Sequence, residues 1–349
     1  MNSISKNIIK TTGCFLSTVI FIACVKDKPQ TANSSQVQLS GAKKVYVVNE
    51  GGFTNGNASI SLFDPFNNQV IEDIYYTQNA SSVGDVAQSL SFVNGSYYIV
   101  VNNSDKILVC DDQFKKVAQI KGLGSPRYLL PVTNQKAYVS DYQSNAISVV
   151  DLNLKVKTAS IPCSGWTEKM VLVYNKAFVT NIKREYVYVV NTLFDLIFDS
   201  VFVGINAASI VMDKQDKIWV LSAGDKNQSI LARLSRINPI TNQIEISFSF
   251  GNGDAPRNLC LNKTKDTLYF LNNDIYRMAI SEINLPSSSF IKKGNKNFYG
   301  LGVNPNDYNI YAADALDYSQ KSNIYIFDSY GNQKSFFKAG INANGFYFE

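Results

Sequence analysis

The chain has 349 residues, 45% hydrophobic and 12% aromatic, with 33 Lys and Arg against 28 Asp and Glu. That is length for one large domain or two and enough apolar residues for a core, which excludes disorder for most of the chain. There is no histidine, so a Ser-His-Asp triad, a Cys-His dyad, histidine-ligated zinc and a histidine proton shuttle are all excluded.

At the N-terminus, Lys6 and Lys10 precede Thr11 to Ala23, a short and mostly apolar stretch. About 20 apolar residues are needed to span a bilayer, so residues 1–23 read as a secretory signal. The stretch ends Phe21-Ile22-Ala23-Cys24. This resembles a lipobox with Phe where Leu is usual, and Cys24 is the expected lipidation site. The competing readings are ordinary cleavage or an uncleaved anchor. Val25-Lys26-Asp27-Lys28-Pro29 resembles the charged surface-export tag of some Gram-negative lipoproteins. Residues 24–42 then read as the acylated cysteine and a Ser/Thr/Gln/Asn-rich tether. Losing residues 1–23 removes two lysines and no acid, which leaves a formal charge of only +3. So slight and scattered an excess does not point to nucleic acid or to an anionic membrane face.

From residue 43 a short β-like run recurs, as in Tyr46-Val47-Val48-Asn49 and Ala137-Tyr138-Val139-Ser140-Asp141. Its aromatic residue stands at 46, 98, 138, 178, 219, 269 and 311, with spacings of 52, 40, 40, 41, 50 and 42. A β-rich period near 40–45 is the mark of a propeller. A second run follows most of the first and ends in Asp or Asn at 64, 111, 151, 238 and 328, residues that set tight turns. A third element, such as Ser125-Pro126-Arg127-Tyr128 or Phe298-Tyr299-Gly300, precedes each repeat and is read as its innermost strand. The last of these, Ala343 to Phe348, has no repeat after it, and the first repeat has none before it. Residues 43–349 are therefore predicted to form an all-β seven-bladed propeller of four-stranded antiparallel blades. The C-terminal strand completes the first blade, and no helix of useful length is expected. Cys110, Cys163 and Cys260 fall in different repeats and read as single buried thiols.

Antiparallel strands put the second-to-third-strand loops and the blade crossovers on one face. Its loops are the longer ones, and function concentrates on long loops over a rigid scaffold. That face offers Phe53, Arg127, Tyr128, Tyr142, Trp166, Lys183, Arg184, Arg257, Tyr276, Phe298, Tyr299 and Tyr318. Aromatic and arginine side chains among amides suit a large, flat, polar ligand, although any one of the aromatics could instead pack between blades. Glu50, Glu168, Glu185, Asp225, Asp254 and Asp317 could build an oxygen-only calcium site or a carboxylate pair. Their spacing requires neither. Neither a metal nor a cofactor is expected, and the chain is read as a non-enzyme.

The repeats, Tyr-Val-x-Asn followed by Ile-Ser-Val-x-Asp, resemble the YncE/YVTN-type seven-bladed propellers. The opening Tyr46-Val47-Val48-Asn49-Glu50-Gly51-Gly52-Phe53-Thr54-Asn55-Gly56-Asn57-Ala58-Ser59-Ile60-Ser61 is similar to the start of the DUF5074-like surface lipoproteins, a group that includes the BtuG cobalamin-binding proteins. This resemblance implies a lipid-anchored, surface-exposed outer-membrane protein. It would capture cobalamin or another corrinoid and pass it to a TonB-dependent, BtuB-like transporter. The corrinoid would be a bound ligand, and contact with the membrane would be through the lipid alone. The same scaffold could bind a siderophore, haem or a glycan, act as a protein-interaction propeller, or be a lactonase- or lyase-like enzyme.

Overall fold

The structure, a computed structural model, describes residues 43–349. The signal peptide, the lipidation of Cys24 and the tether lie outside the described residues. In chain order, β1 (Val45–Asn49), β2 (Ser59–Asp64) and β3 (Gln69–Ile71) belong to the first blade, and the short α1 (Ile74–Asn79) follows. The second blade is β4 (Ala87–Val93), β5 (Ser96–Val101), β6 (Lys106–Cys110) and β7 (Lys116–Ile120). The third is β8 (Pro126–Pro131), β9 (Lys136–Asp141), β10 (Ala146–Asp151) and β11 (Val156–Pro162). The fourth is β12 (Thr167–Val173), β13 (Lys176–Asn181), β14 (Tyr186–Asn191) and β15 (Leu196–Phe202). The fifth is β16 (Ala207–Met212), β17 (Ile218–Ser222), β18 (Arg233–Asn238) and β19 (Gln243–Ser249). The sixth is β20 (Arg257–Leu261), β21 (Thr267–Asn272) and β22 (Asp274–Ala279). The seventh is β23 (Phe298–Val303), β24 (Ile310–Asp314), β25 (Lys321–Phe327) and β26 (Gln333–Ile341), and β27 (Ala343–Phe348) ends the chain.

The described residues form seven antiparallel sheets, and β27 heads the first in the order β27-β1-β2-β3. The inner strands β27, β4, β8, β12, β16, β20 and β23 touch their neighbours around a closed ring, so no inner edge is left open. The sixth sheet has three strands instead of the expected four. Where an outer strand would lie, Ile275 bridges to Ile291. Helix α1 is short because Asp73 caps it, accepting from the Tyr76 amide at 3.0 Å, and Ala80 ends it in the left-handed region at φ 49°. It buries Ile74 and Tyr75.

The core is also a ring. Each of seven buried clusters joins one blade to the next, from Tyr46 with Tyr97 between the first two blades to Tyr311 with Val47 between the last and the first. The periodic aromatics of the sequence are the anchors of these clusters. Tyr46, Tyr98, Tyr138, Phe178, Trp219, Tyr269 and Tyr311 all lie on the second strand of a blade and are buried. The Asx turns form as the sequence predicts. Asp64 Oδ1 accepts from the Phe66 amide and Asp151 Oδ1 from the Asn153 amide, each at 2.8 Å.

The three cysteines of the propeller are free. Burial pushes the thiols up to about 12 for Cys110, about 11 for Cys163 and about 12 for Cys260. A soluble form spanning residues 30–349 should therefore react slowly with a thiol reagent at pH 8 and release its full three equivalents only in denaturant. Three fast equivalents from the folded protein would contradict this burial.

Candidate functional site

Every inner strand begins with the same irregularity. Pairing jumps between Ala87 and Ser89, Pro126 and Leu129, Thr167 and Met170, Ala207 and Ser209, Arg257 and Cys260, Phe298 and Gly300, and opposite Asn344 in the first blade. In each case one extra residue is inserted, a β-bulge that bends the strand and re-aims a side chain. The bulges lie where the crossovers enter the inner strands, on the face with the long loops. Their side chains converge on the axis, around a pit of about 140 Å³ lined by residues of all seven inner strands and by Glu50.

Two hydrogen-bonded groups hold most of this ring in place. Arg127 forks onto Glu168, Nη2 to Oε1 at 2.7 Å and Nε to Oε2 at 3.0 Å. The two side chains are only 13% and 5% exposed. Burial pulls the Arg127 pKa down, but the adjoining Glu168 charge and fork outweigh it and raise it above the usual value. Arg127 also donates to Gln88 Oε1, and Gln88 Nε2 donates to the Tyr128 hydroxyl at 3.1 Å. Tyr142 donates to Glu168 Oε1 at 2.7 Å. Its ring lies 3.9 Å beneath the Arg127 guanidinium and stacks on Trp166 at 5.1 Å. In the second group Glu50 accepts from Tyr299 at 2.9 Å and from Asn344 at 2.8 Å. Burial pushes the Glu50 carboxyl up against these two bonds, which favour its ionised form.

The structure brings together Arg127, Tyr128, Arg257 and Tyr299 in the pit wall. Tyr142 and Trp166 adjoin them, and Tyr318 meets the Tyr299 ring edge-on at 5.6 Å. Phe53 and Arg184 are exposed on loops away from the pit lining. Tyr276 stacks on Phe270 and lines a separate cavity beside Asp254 and Asn272. Phe298 is 2% exposed and sits in the core between the sixth and seventh blades. The placement of Phe298 on the surface is therefore corrected. It occupies the position just before the bulge, which is also buried at Ala87, Pro126, Thr167, Ala207 and Ala343.

Sequence reasoning missed Gln88, Lys169, Ser209, Asn258 and Asn344, and it had weighed Glu50 and Glu168 only as acids for a metal or a carboxylate pair. Superposing the inner-strand segments of the repeats at the residue after each buried anchor would have found the ring. Among the described residues no group of three metal-ligating side chains forms.

A family model described as "Domain of unknown function (DUF5074)" matches residues 43–349. No curated protein matches the sequence. Among solved structures, a functionally unknown protein from Desulfotomaculum acetoxidans is similar with a TM-score of 0.68 at 12% identity, covering 88% of this chain and 99% of that one. A quinonprotein alcohol dehydrogenase-like protein from Bacteroides thetaiotaomicron has a TM-score of 0.66 at 13% identity, covering 89% and 77%. The periplasmic gluconolactonase of Pseudomonas aeruginosa has a TM-score of 0.66 at 10% identity, covering 88% and 98%. At these identities the likeness is one of fold.

Proposed function

The chain belongs to the DUF5074 family, and we propose that within it this protein is a non-catalytic capture protein for a large polar nutrient, most consistent with cobalamin or another corrinoid. Anchored through Cys24 at the surface of the outer membrane, it would pass its ligand to a TonB-dependent transporter. One observation carries the reading. All seven inner strands bulge at the same level and turn polar side chains to one axial pit, and aromatics stand around its rim. Pockets that enclose a small molecule hold about 300–1,000 Å³, whereas this pit holds about 140 Å³. It admits one arm of a ligand, and the rest must lie across the face. Trp166 is 38% exposed there and Tyr318 46%, stiff contact surface for a flat macrocycle. The carboxylates at the pit are engaged by Arg127, Tyr142, Tyr299 and Asn344, which supports binding without chemistry.

Calorimetric titration of the full-length protein with cyanocobalamin and with cobinamide tests this. One-to-one binding of at least one of them is expected. Trp166→Ala should weaken it about 30-fold, the effect of losing a roughly 2 kcal/mol aromatic anchor. Absence of heat with both ligands would remove the corrinoid, and siderophores, haem, glycans and outer-membrane proteins would then be the candidates.

A further inference from the structure

Most of the ring is internally satisfied, and what is left over points to a ligand class. The pit is lined by three cationic side chains, Arg127, Lys169 and Arg257, and by two carboxylates, Glu50 and Glu168. Arg127 and Glu168 neutralise each other through their fork. Glu50 takes its hydrogen bonds from Tyr299 and Asn344. Lys169 has no such partner. Its ammonium makes no hydrogen bond or ion pair among the described residues, and its one aromatic contact is the Tyr128 ring at 5.7 Å. Burial lowers its pKa, against the smaller opposing effects of the Cys260 thiol and the Glu168 charge.

The ring also has a gap beside this lysine. On the neighbouring inner strand β16 the bulge residue is Ala208, where the other blades carry Gln88, Arg127, Glu168, Asn258, Tyr299 or Asn344. Ser209, which follows it, makes no hydrogen bond with its hydroxyl among the described residues. On the next strand, β20, Arg257 uses Nη2 on the Phe298 carbonyl at 2.6 Å, and its other donors make no hydrogen bond among the described residues. A half-buried ammonium, a free hydroxyl and a guanidinium thus border the place where the ring of side chains is open.

We propose that the pit is an oxyanion subsite, in which Lys169, with Ser209 and Arg257, receives one carboxylate or phosphate group of the bound ligand. The proposal rests on the capture reading above, of which it names the anchoring group. The shared chemistry is a small tetrahedral or planar oxyanion that gives the Lys169 ammonium the hydrogen-bonded partner it lacks among the described residues. Charge-assisted hydrogen bonds of this kind are among the stronger ones available in a desolvated site.

The test is titration of the full-length protein at low ionic strength with inorganic phosphate in one arm and succinate in the other. Heat and the shift in melting temperature are both read. Saturable one-to-one binding in at least one arm is expected, and the preferred arm identifies the group. Lys169→Met should weaken it roughly 10-fold or more, as expected for a lost hydrogen bond to a charged group. Arg257→Gln should weaken it by a smaller factor, and Lys263→Gln, on an exposed turn outside the pit, should leave it unchanged. Lys169→Met removes a half-buried charge that makes no ion pair among the described residues, so its melting temperature should equal or exceed that of the native protein, which separates lost binding from lost folding. No saturable binding in either arm, or equal binding by Lys169→Met, overturns the subsite. Lys169-dependent phosphate or succinate binding without corrinoid binding leaves the subsite standing and removes only the corrinoid. Corrinoid binding that Lys169→Met does not affect and phosphate does not compete with removes only the subsite.

Discussion

Removing residues 343–349 should abolish cooperative folding, leaving a protein that elutes as aggregate and gives no single thermal transition. The segment is the innermost strand of the first blade although it comes last in the chain. It pairs with β1 from Val45 opposite Phe348 to Asn49 opposite Ala343. The flanking backbone adds Glu349 N to Lys44 O and Glu50 N to Asn342 O, both at 3.0 Å. Phe346 and Phe348 pack on Tyr311 of the seventh blade at 5.9 and 5.3 Å, and Tyr347 packs on Tyr46 at 6.0 Å. Each such side chain contributes about 1.5–3 kcal/mol when fully buried, against a total stability of about 5–15 kcal/mol. The deletion also uncovers the hydrophobic edge of β1 and opens the ring of inner strands, two surfaces that pair readily with other chains. The fit of this strand is close. A Cβ on Gly300 would lie 2.9 Å from the Ala343 carbonyl oxygen, and one on Gly302 would lie 3.0 Å from the Phe346 and Phe348 rings. Gly302→Val should therefore reproduce a milder form of the deletion. Circular dichroism and size-exclusion chromatography decide the matter. A monomeric truncated protein with the native melting temperature would mean that the ring does not depend on its clasp.

The clasp was readable because strand-like segments and repeats are out of step by one at the two ends of the chain. The blades were readable because their anchoring aromatic is periodic. Departures from the period have local causes. The spacing of 52 between Tyr46 and Tyr98 accommodates α1, whose six residues are too few to show a helical pattern. The spacing of 50 between Trp219 and Tyr269 contains the Ala223 to Ala232 connection between β17 and β18. The missing fourth strand of the sixth blade falls in Ile283 to Ser289, a run with one proline and three serines and no strand alternation. The site was harder to read, because a bulge shifts side-chain direction by one residue without a mark in hydrophobicity. This is why Tyr299 faces the pit while Phe298 beside it is core. The pit's second acid, Glu50, lies on the loop after β1, and no local pattern ties it to Tyr299 or to Asn344, which reach it across 249 and 294 residues of chain.

Glu168→Ala should destabilise the protein by about 3–5 kcal/mol, the cost of leaving a buried charge without its partner. For a domain of this size that is a fall in melting temperature of roughly 6–15 °C. The argument rests on burial more than on attraction. Glu168 is 5% exposed and Arg127 13%, so the alanine variant leaves a guanidinium that water cannot reach freely, with only Gln88 still accepting from it. Tyr142 loses its acceptor as well, so the stack it makes with Trp166 loses its fixed position. Glu168→Gln keeps the shape and one acceptor oxygen and should cost less. Arg127→Met combined with Glu168→Leu should recover much of the loss, because two apolar side chains of similar volume leave no charge to satisfy. Thermal denaturation of the native protein, the single variants Arg127→Met and Glu168→Leu and the double variant forms a double-mutant cycle. A double variant as unstable as the sum of its parts would show that the fork does not couple the third and fourth blades. Ligand titration on the same set separates the two roles of the pair. If the double variant regains stability but not affinity, the fork serves chiefly to hold the Tyr142–Trp166 wall at the edge of the pit.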